Sequence, residues 1–241
     1  MGSVRAGPLA AGRPRWRAYL LLARVSNLPT VWTNVLAGTI VSGAAFSRAS
    51  FTRIAFAVSL LYTAGMFLND AFDRNFDARF RPDRPLPAGD VTSGEAFVVG
   101  WALLVGGVAV LAAHAGGSVV WGLLLAGAIV YYDYRHKRDP FGPAVMGICR
   151  GLVYCVAAAA SGAVTKPVVL AALVLTAYVV ALTWVAKRVG QRAGWLIPLL
   201  IGGISIVDAA IIVLCGAPTL AWFALLGFVL TLLLQRVVPG T

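Results

Sequence analysis

The chain has 241 residues, of which 60% are hydrophobic and 12% are charged. Soluble domains carry about 25% charged residues, so these charges are too few to cover a water-facing surface, whereas a bilayer can surround an apolar one. The net charge is +11, but the basic residues lie in short segments between apolar runs, which is the pattern of a membrane protein. We therefore exclude a water-soluble fold and nucleic-acid binding.

A basic segment, residues 1–23, precedes the first apolar run. It contains Arg5, Arg13, Arg15 and Arg17, and the run that follows continues past the small-residue sites where a signal peptide would be cleaved. We interpret this run as a retained membrane helix and place the basic segment in the cytoplasm.

Apolar stretches close to the roughly 20 residues that cross about 30 Å of hydrocarbon recur along the chain. The predicted spans are 27–46, 51–70, 95–114, 117–134, 143–162, 166–187, 194–215 and 217–236. They predict an all-α, polytopic membrane helical bundle of about eight transmembrane helices. The bundle forms a single domain over residues 1–241.

The distribution of basic residues predicts the orientation of the bundle. If the N-terminus lies inside, only Arg48, Arg53 and Lys166 of the 20 Lys and Arg residues fall at the outer ends of the spans. Positive charges concentrate in cytoplasmic loops. We therefore predict a multi-pass protein of the cytoplasmic (inner) membrane with both termini in the cytoplasm.

Four polar residues that end the second span carry the strongest functional signal. They are Asn69, Asp70, Asp73 and Asp77. On a helix, acids three and four residues apart point the same way, and their mutual repulsion requires compensation. Because hard oxygen ligands suit Mg²⁺, we predict a magnesium site. The alternative is a solvated loop whose acids pair with nearby arginines.

The segment 70–94 is predicted to be a cytoplasmic, Asp- and Arg-rich catalytic loop. Long loops in compact proteins are usually functional. Arg81 and Arg84 lie beside the acids among prolines and are suited to holding diphosphate oxygens. The alternative is that these arginines only orient the chain in the membrane.

A second polar cluster, residues 131–140, ends the fourth predicted span. Lys137 and Arg138 are candidates to neutralise a leaving diphosphate, and Tyr134 is a candidate to line a pocket for an allylic cation. The alternative is an interfacial aromatic belt with orienting charges. The sequence leaves both interpretations open.

Two further ionisable residues lie well inside predicted spans, away from the span ends. Arg150, with Tyr154 one turn later, needs an anionic partner in the membrane, and a phosphate or an acid from the clusters would supply it. Asn34, in the first span, is predicted to face the same cavity. Asp208 either pairs with a polar neighbour or marks a function, and the sequence does not decide between these.

The acid motif and its surroundings resemble the UbiA superfamily of intramembrane prenyltransferases. The resemblance rests on the order Asn69-Asp70-x-x-Asp73-x-x-x-Asp77, on the trailing loop from Arg81 to Gly89, and on the stretch from Arg24 to Asn34. Membership implies a helical bundle whose cavity opens to the membrane. It also implies that the Asp-rich motif holds Mg²⁺ and binds an isoprenyl diphosphate, with Asn69, Asp70, Asp73 and Asp77 in that role.

Two features depart from the family pattern. The family's Tyr-x-x-x-Lys element is matched loosely by Tyr134-x-x-x-Arg138. The family's second Asp-rich motif, between spans six and seven, is replaced by the acid-free segment 184–192. We predict that Lys187 and Arg188 act there as cationic clamps; the alternative is that ionisation of the diphosphate is impaired. The stretch from Tyr132-Asp133 to Tyr154 and the acid-free segment resemble the divergent EboC-like branch of the superfamily.

We predict Mg²⁺-dependent transfer of an isoprenyl group from a prenyl diphosphate to a lipophilic acceptor within the membrane, with an aromatic ring as the first expectation for the acceptor. The acid-free segment keeps a second hypothesis open, a non-catalytic UbiA-like protein that binds or transports a lipophilic metabolite. A membrane phosphotransferase of the CDP-alcohol type ranks last, because its Asp-Gly-x-x-Ala-Arg order is missing between Asp70 and Asp77.

Overall fold

The computed structural model describes residues 13–114, 117–135, 139–189 and 194–239, and within these ranges all regular structure is helical. The helices are α1 (Arg15–Ala23), α2 (Leu28–Val41), α3 (Arg48–Phe80), α4 (Ser93–Ala112), α5 (Ser118–Arg135), α6 (Gly142–Ser161), α7 (Lys166–Val189), α8 (Leu196–Leu214) and α9 (Pro218–Gln235). A short 3₁₀ turn (Val25–Asn27) joins α1 to α2. The predicted all-α bundle is confirmed.

Six of the described helices, namely α3, α4 and α6 to α9, are long and apolar enough to cross a membrane. The other two predicted spans, 27–46 and 117–134, coincide with α2 and α5. With 14 residues, α2 covers about 21 Å, less than the thickness of the hydrocarbon. The 18 residues of α5 end in a polar stretch, which lowers its hydropathy.

Helix α3 is longer than the sequence analysis predicts. Its 33 residues extend over about 50 Å, whereas about 30 Å would cross the hydrocarbon. The prediction that residues 70–94 form a loop is therefore wrong for residues 70–80, which continue the helix. The connection to α4 begins at Arg81. The acids at the end of α3 remain helical because arginines neutralise two of them, as described below.

The short helix α1 and the connection between α3 and α4 pack on one another at the end of α3. Leu22 of α1 lies in one apolar cluster with Leu86 and Val91 of the connection. Arg15 forms an ion pair with Glu95 in the first turn of α4. These contacts hold the connection that carries Arg81 and Arg84 against the bundle.

Helix α2 is central, since it contacts α3, α6, α7, α8 and α9. Its approach to α6 is close enough to require glycine: a Cβ atom at Gly38 would lie 2.7 Å from the carbonyl oxygen of Tyr154. Small residues allow such approaches between helices in lipid. The site described below depends on this packing, because it brings the polar residues of α2 and α6 together.

Replacing Gly38 by alanine is expected to destabilise the protein, since the new methyl group meets backbone atoms of α6. Overpacking of this kind typically costs about 1–3 kcal/mol. Thermal unfolding in detergent measures the effect. The matched control is Gly127→Ala in α5, where a Cβ atom would have no neighbour within 4 Å; equal stability of the two variants would contradict the close approach of α2 to α6.

Candidate functional site

A cavity of about 660 Å³ lies between the helices. Most of its wall is apolar and is formed by residues such as Val58, Leu125, Val153 and Ile201. Polar and charged side chains also line it; among them are Arg24, Asn69, Asp73, Arg81, Arg84, Tyr132, Asp133, Arg150 and Lys187. The cavity therefore joins a charged region to an apolar one.

The four polar residues of the α3 motif are all buried, which is unusual for acids. Asp70 Oδ1 accepts hydrogen bonds from Arg24 Nη2 at 2.8 Å and from Arg84 Nη1 at 3.2 Å. Arg84 Nη1 also lies 2.8 Å from Asp77 Oδ2. Asp70 and Asp77 thus pair with arginines, as the alternative interpretation expected, but within a helix rather than in a solvated loop.

The remaining members of the motif, Asn69 and Asp73, line the cavity. The amide of Asn69 donates from Nδ2 to Asp133 Oδ1 at 3.3 Å, which connects α3 to the end of α5. Asp133 is 3% exposed and lines the same cavity. Asp133 is not among the site residues predicted from the sequence, although it is an ionisable residue inside a predicted span, and such a residue is a functional candidate by default.

The aromatic residue that lines the cavity from α5 is Tyr132 rather than the predicted Tyr134. Tyr134 is 67% exposed, and its ring packs edge-on against Phe72. Residues two apart on a helix point to nearly opposite sides, so only one of the two tyrosines can face the cavity. The predicted Lys137 and Arg138 lie outside the described residues.

The two predicted clamps at the end of α7 differ in their positions. Lys187 lines the cavity. Both residues are exposed, but the guanidinium of Arg188 lies 3.4 Å from the centroid of the Trp184 ring. Lys187 therefore joins Arg81 and Arg84 in the cavity wall, whereas Arg188 makes a cation–π contact outside it.

Deeper in the bundle, a buried hydrogen-bond network joins α2, α6 and α8. Asn34 Nδ2 donates to both carboxylate oxygens of Asp208, at 3.0 and 2.9 Å. Tyr154 donates to Asp208 Oδ1 at 2.6 Å, and Arg150 Nη1 donates to Asn34 Oδ1 at 3.0 Å. Asn34 and Tyr154, predicted as substrate contacts, instead hold Asp208, and only Arg150 reaches the cavity.

A sequence profile of the UbiA prenyltransferase family matches residues 28–238. The chain belongs to this family. Among its relatives, a digeranylgeranylglyceryl phosphate synthase of Halobacterium salinarum is 34% identical over 159 residues, which cover 65% of this chain and 58% of the relative. Chlorophyll synthase of Arabidopsis thaliana is 28% identical over 137 residues, or 50% of this chain and 34% of that protein. The match thus spans little more than half of the first relative's length, and a third of the second's.

Two solved structures share the fold of this UbiA-family chain. One concerns digeranylgeranylglyceryl phosphate synthase in membranes and superposes with a TM-score of 0.60 at 18% identity, covering 92% of this chain and 98% of that chain. The other is the apo structure of a UbiA homolog from Aeropyrum pernix K1, with a TM-score of 0.58 at 18% identity and coverages of 90% and 95%. The predicted family and fold are confirmed.

Family membership implies a divalent metal, and the donors of this chain fit one. Among the described residues, no three Asp, Glu, His or Cys side chains form a ready-made metal site. However, Asp77 Oδ1 and Asp133 Oδ2 are buried oxygens without a hydrogen-bond partner among the described residues. Mg²⁺ commonly takes one or two carboxylates and keeps several waters, so the residues suit a divalent metal.

Replacing Asp208 by alanine is expected to destabilise the UbiA-family bundle, because Asn34 and Tyr154 then lose their shared acceptor. Each buried polar group left unpaired costs about 1–3 kcal/mol. Thermal unfolding in detergent tests this, with the exposed Asp83→Ala as control. Equal melting temperatures for the two variants would show that the network contributes little to stability.

Proposed function

We propose that this chain transfers an isoprenyl group from a prenyl diphosphate to a lipophilic acceptor within the membrane, in a reaction that requires Mg²⁺. The observation that carries the proposal is one cavity whose wall combines the motif residues Asn69 and Asp73 with five cationic side chains and a large apolar surface. A diphosphate suits the first part and a prenyl chain suits the second. The relatives, named as synthases of digeranylgeranylglyceryl phosphate and of chlorophyll, support this reaction class.

In this reaction, the bond between the first prenyl carbon and the bridging oxygen breaks, and its electron pair leaves with the diphosphate. Mg²⁺, when bound, supplies Lewis-acid stabilisation of the charge on that oxygen. Arg81, Arg84 and Lys187 are assigned the remaining charge stabilisation, since each lines the cavity. Asn69 and the motif acids are assigned to the Mg²⁺–diphosphate pair.

The allylic cation that remains must be kept from water until the acceptor attacks it and then loses a proton. Apolar residues form most of the cavity wall, which limits access of water to the cation. The rings of Tyr62, Phe76 and Tyr132 also line the cavity, and aromatic faces stabilise cations. Arg150 is assigned to the acceptor side, because its guanidinium lies 5.5 Å from the centroid of the Tyr62 ring and donates a hydrogen bond to Asn34 rather than to a motif acid.

We further propose that the chain is a single domain of the inner membrane with both termini in the cytoplasm. Basic residues concentrate at those ends of the predicted spans that lie on the same side of the membrane as the motif, and this side is cytoplasmic in membrane proteins. Lys137 and Arg138, which come two and three positions after the last residue of α5 in the sequence, are proposed to neutralise the leaving diphosphate as well. Arg188 is a less favoured clamp than Lys187, because it packs on Trp184.

A second candidate function is binding or transport of a lipophilic metabolite without turnover. It is favoured by the absence of acids in the sequence segment 187–192 and by the pairing of Asp70 and Asp77 with arginines. Binding of a prenyl diphosphate without product for any acceptor, together with movement of the ligand across vesicles, would support it. Detection of a prenylated product would exclude it.

The proposed reaction predicts that the purified protein binds and consumes a labelled prenyl diphosphate in the presence of Mg²⁺. Asp73→Asn is expected to lower turnover at least ~100-fold, because an uncharged amide stabilises a Mg²⁺–diphosphate pair poorly. The exposed Asp83→Asn serves as the matched control. Binding that Asp73→Asn leaves unchanged would overturn the proposed role of the motif.

The two basic residues in the last turn of α7 allow a paired test of the cationic side chains that line the cavity. Lys187→Ala is expected to lower turnover about 10- to 100-fold, because one of the charges facing the leaving diphosphate is lost. Arg188→Ala is expected to have a clearly smaller effect, since its guanidinium packs on Trp184. Steady-state kinetics decide between them, and equal losses in the two variants would contradict the assignment of Lys187.

A further inference from the structure

Asp133, at the end of α5, is a buried carboxylate that lies outside the Asp-rich motif of α3. The residue is 3% exposed. One oxygen, Oδ1, accepts the 3.3 Å hydrogen bond from Asn69, whereas Oδ2 is buried and has no hydrogen-bond partner among the described residues. A buried carboxylate oxygen is costly to leave without a partner, so this oxygen points to a ligand.

Asp133 faces a stripe of α3 residues at a spacing of four, which places them on one side of the helix. The stripe consists of Gly65, Asn69 and Asp73, and all three line the cavity together with Asp133. A Cβ atom at Gly65 would lie 4.0 Å from Asp133 Oδ2. The same Cβ atom would lie 2.9 Å from Ile129 Cγ2, so α5 packs directly on α3 at Gly65, and the room for a ligand of Asp133 is the cavity that Asn69 and Asp73 line.

The charges around Asp133 favour a cation in this space. Asp70 and Asp77 are neutralised by direct ion pairs with Arg24 and Arg84. Asp133 forms no ion pair with a described residue, and it lies within electrostatic range of Arg24, which already pairs with Asp70, and of both Asp73 and Asp70. Carboxylates gathered in a low-dielectric site repel one another, and a divalent cation between Asp73 and Asp133 would relieve that repulsion.

We propose that Asp133 is a ligand of a divalent cation bound on the cavity side of α3, together with Asp73 and the amide oxygen of Asn69. The proposal rests on the proposed function, because diphosphate oxygens complete the coordination shell. Carboxylate and amide oxygens are hard donors, and Mg²⁺ is bound by one or two carboxylates with substrate phosphate. In this chain α5 thus contributes an acid, whereas the segment 184–192 contributes none.

Binding of Mn²⁺ to the purified full chain in detergent, with inorganic pyrophosphate present, tests the proposal directly. The free Mn²⁺ signal in electron paramagnetic resonance reports the bound fraction without any need for turnover. Asp133→Asn, which keeps the shape and can still accept from Asn69, is expected to weaken Mn²⁺ binding about tenfold or more. The exposed Asp83→Asn is expected to bind as the unmodified chain does.

A second variant separates metal ligation from a purely structural role. In Asp133→Cys, a soft thiolate replaces the carboxylate, so the preference is expected to change from Mn²⁺ to Cd²⁺. Cys149, which lines the same cavity, is present in the unmodified chain, and that chain supplies the Cd²⁺ baseline. If Asp133 only accepts the hydrogen bond from Asn69, Cd²⁺ affinity will not rise.

The outcomes distinguish this proposal from the proposed function. Mn²⁺ binding that depends on Asp73 but not on Asp133, with no gain of Cd²⁺ affinity in the cysteine variant, overturns the assignment of Asp133 and leaves prenyl transfer intact. Mn²⁺ binding that depends on Asp133, in a chain that neither binds nor consumes a prenyl diphosphate, supports the cation site and overturns prenyl transfer.

Discussion

The architecture of the site depends on how buried carboxylates are neutralised. Arg84 bridges Asp70 and Asp77, and Arg24 supplies a second cation to Asp70. Without these pairs, acids at helical spacing would repel one another and destabilise the end of α3, and buried unpaired charges would carry a large desolvation cost. The ion pairs allow α3 to remain helical to Phe80 and keep the motif in the cavity wall.

The same ion pairs organise the structure around the end of α3. Arg84 lies in the connection between α3 and α4, so its bonds to α3 fold this connection back onto the helix. Leu86 and Val91 then pack with Leu22 of α1 in an apolar cluster. Electrostatic pairing and burial of apolar surface act together here, and Arg81 is consequently held in the cavity wall.

In the interior of the bundle, hydrogen bonds to neutral side chains stabilise the buried charges of Arg150 and Asp208. Asn34 accepts from Arg150 and donates to Asp208, so one amide links a cation and an anion that have no direct contact. Such a network is favourable only when its members are satisfied, and the close packing of α2 on α6 at Gly38 brings them into reach. Arg150 is thereby fixed with its guanidinium in the cavity.

The sequence by itself determined the membrane class, the helical fold, the family and the regular spacing of Asn69, Asp70, Asp73 and Asp77, because hydropathy and helical period are local properties. It did not determine the roles of individual polar residues. Tertiary structure decided that Asp70 and Asp77 pair with arginines while Asp73 faces the cavity, and that Asp133 lies beside Asn69, 64 positions away. The physical reason is that the rotation of each helix and the identity of its neighbours follow from packing between distant segments, which no local pattern records.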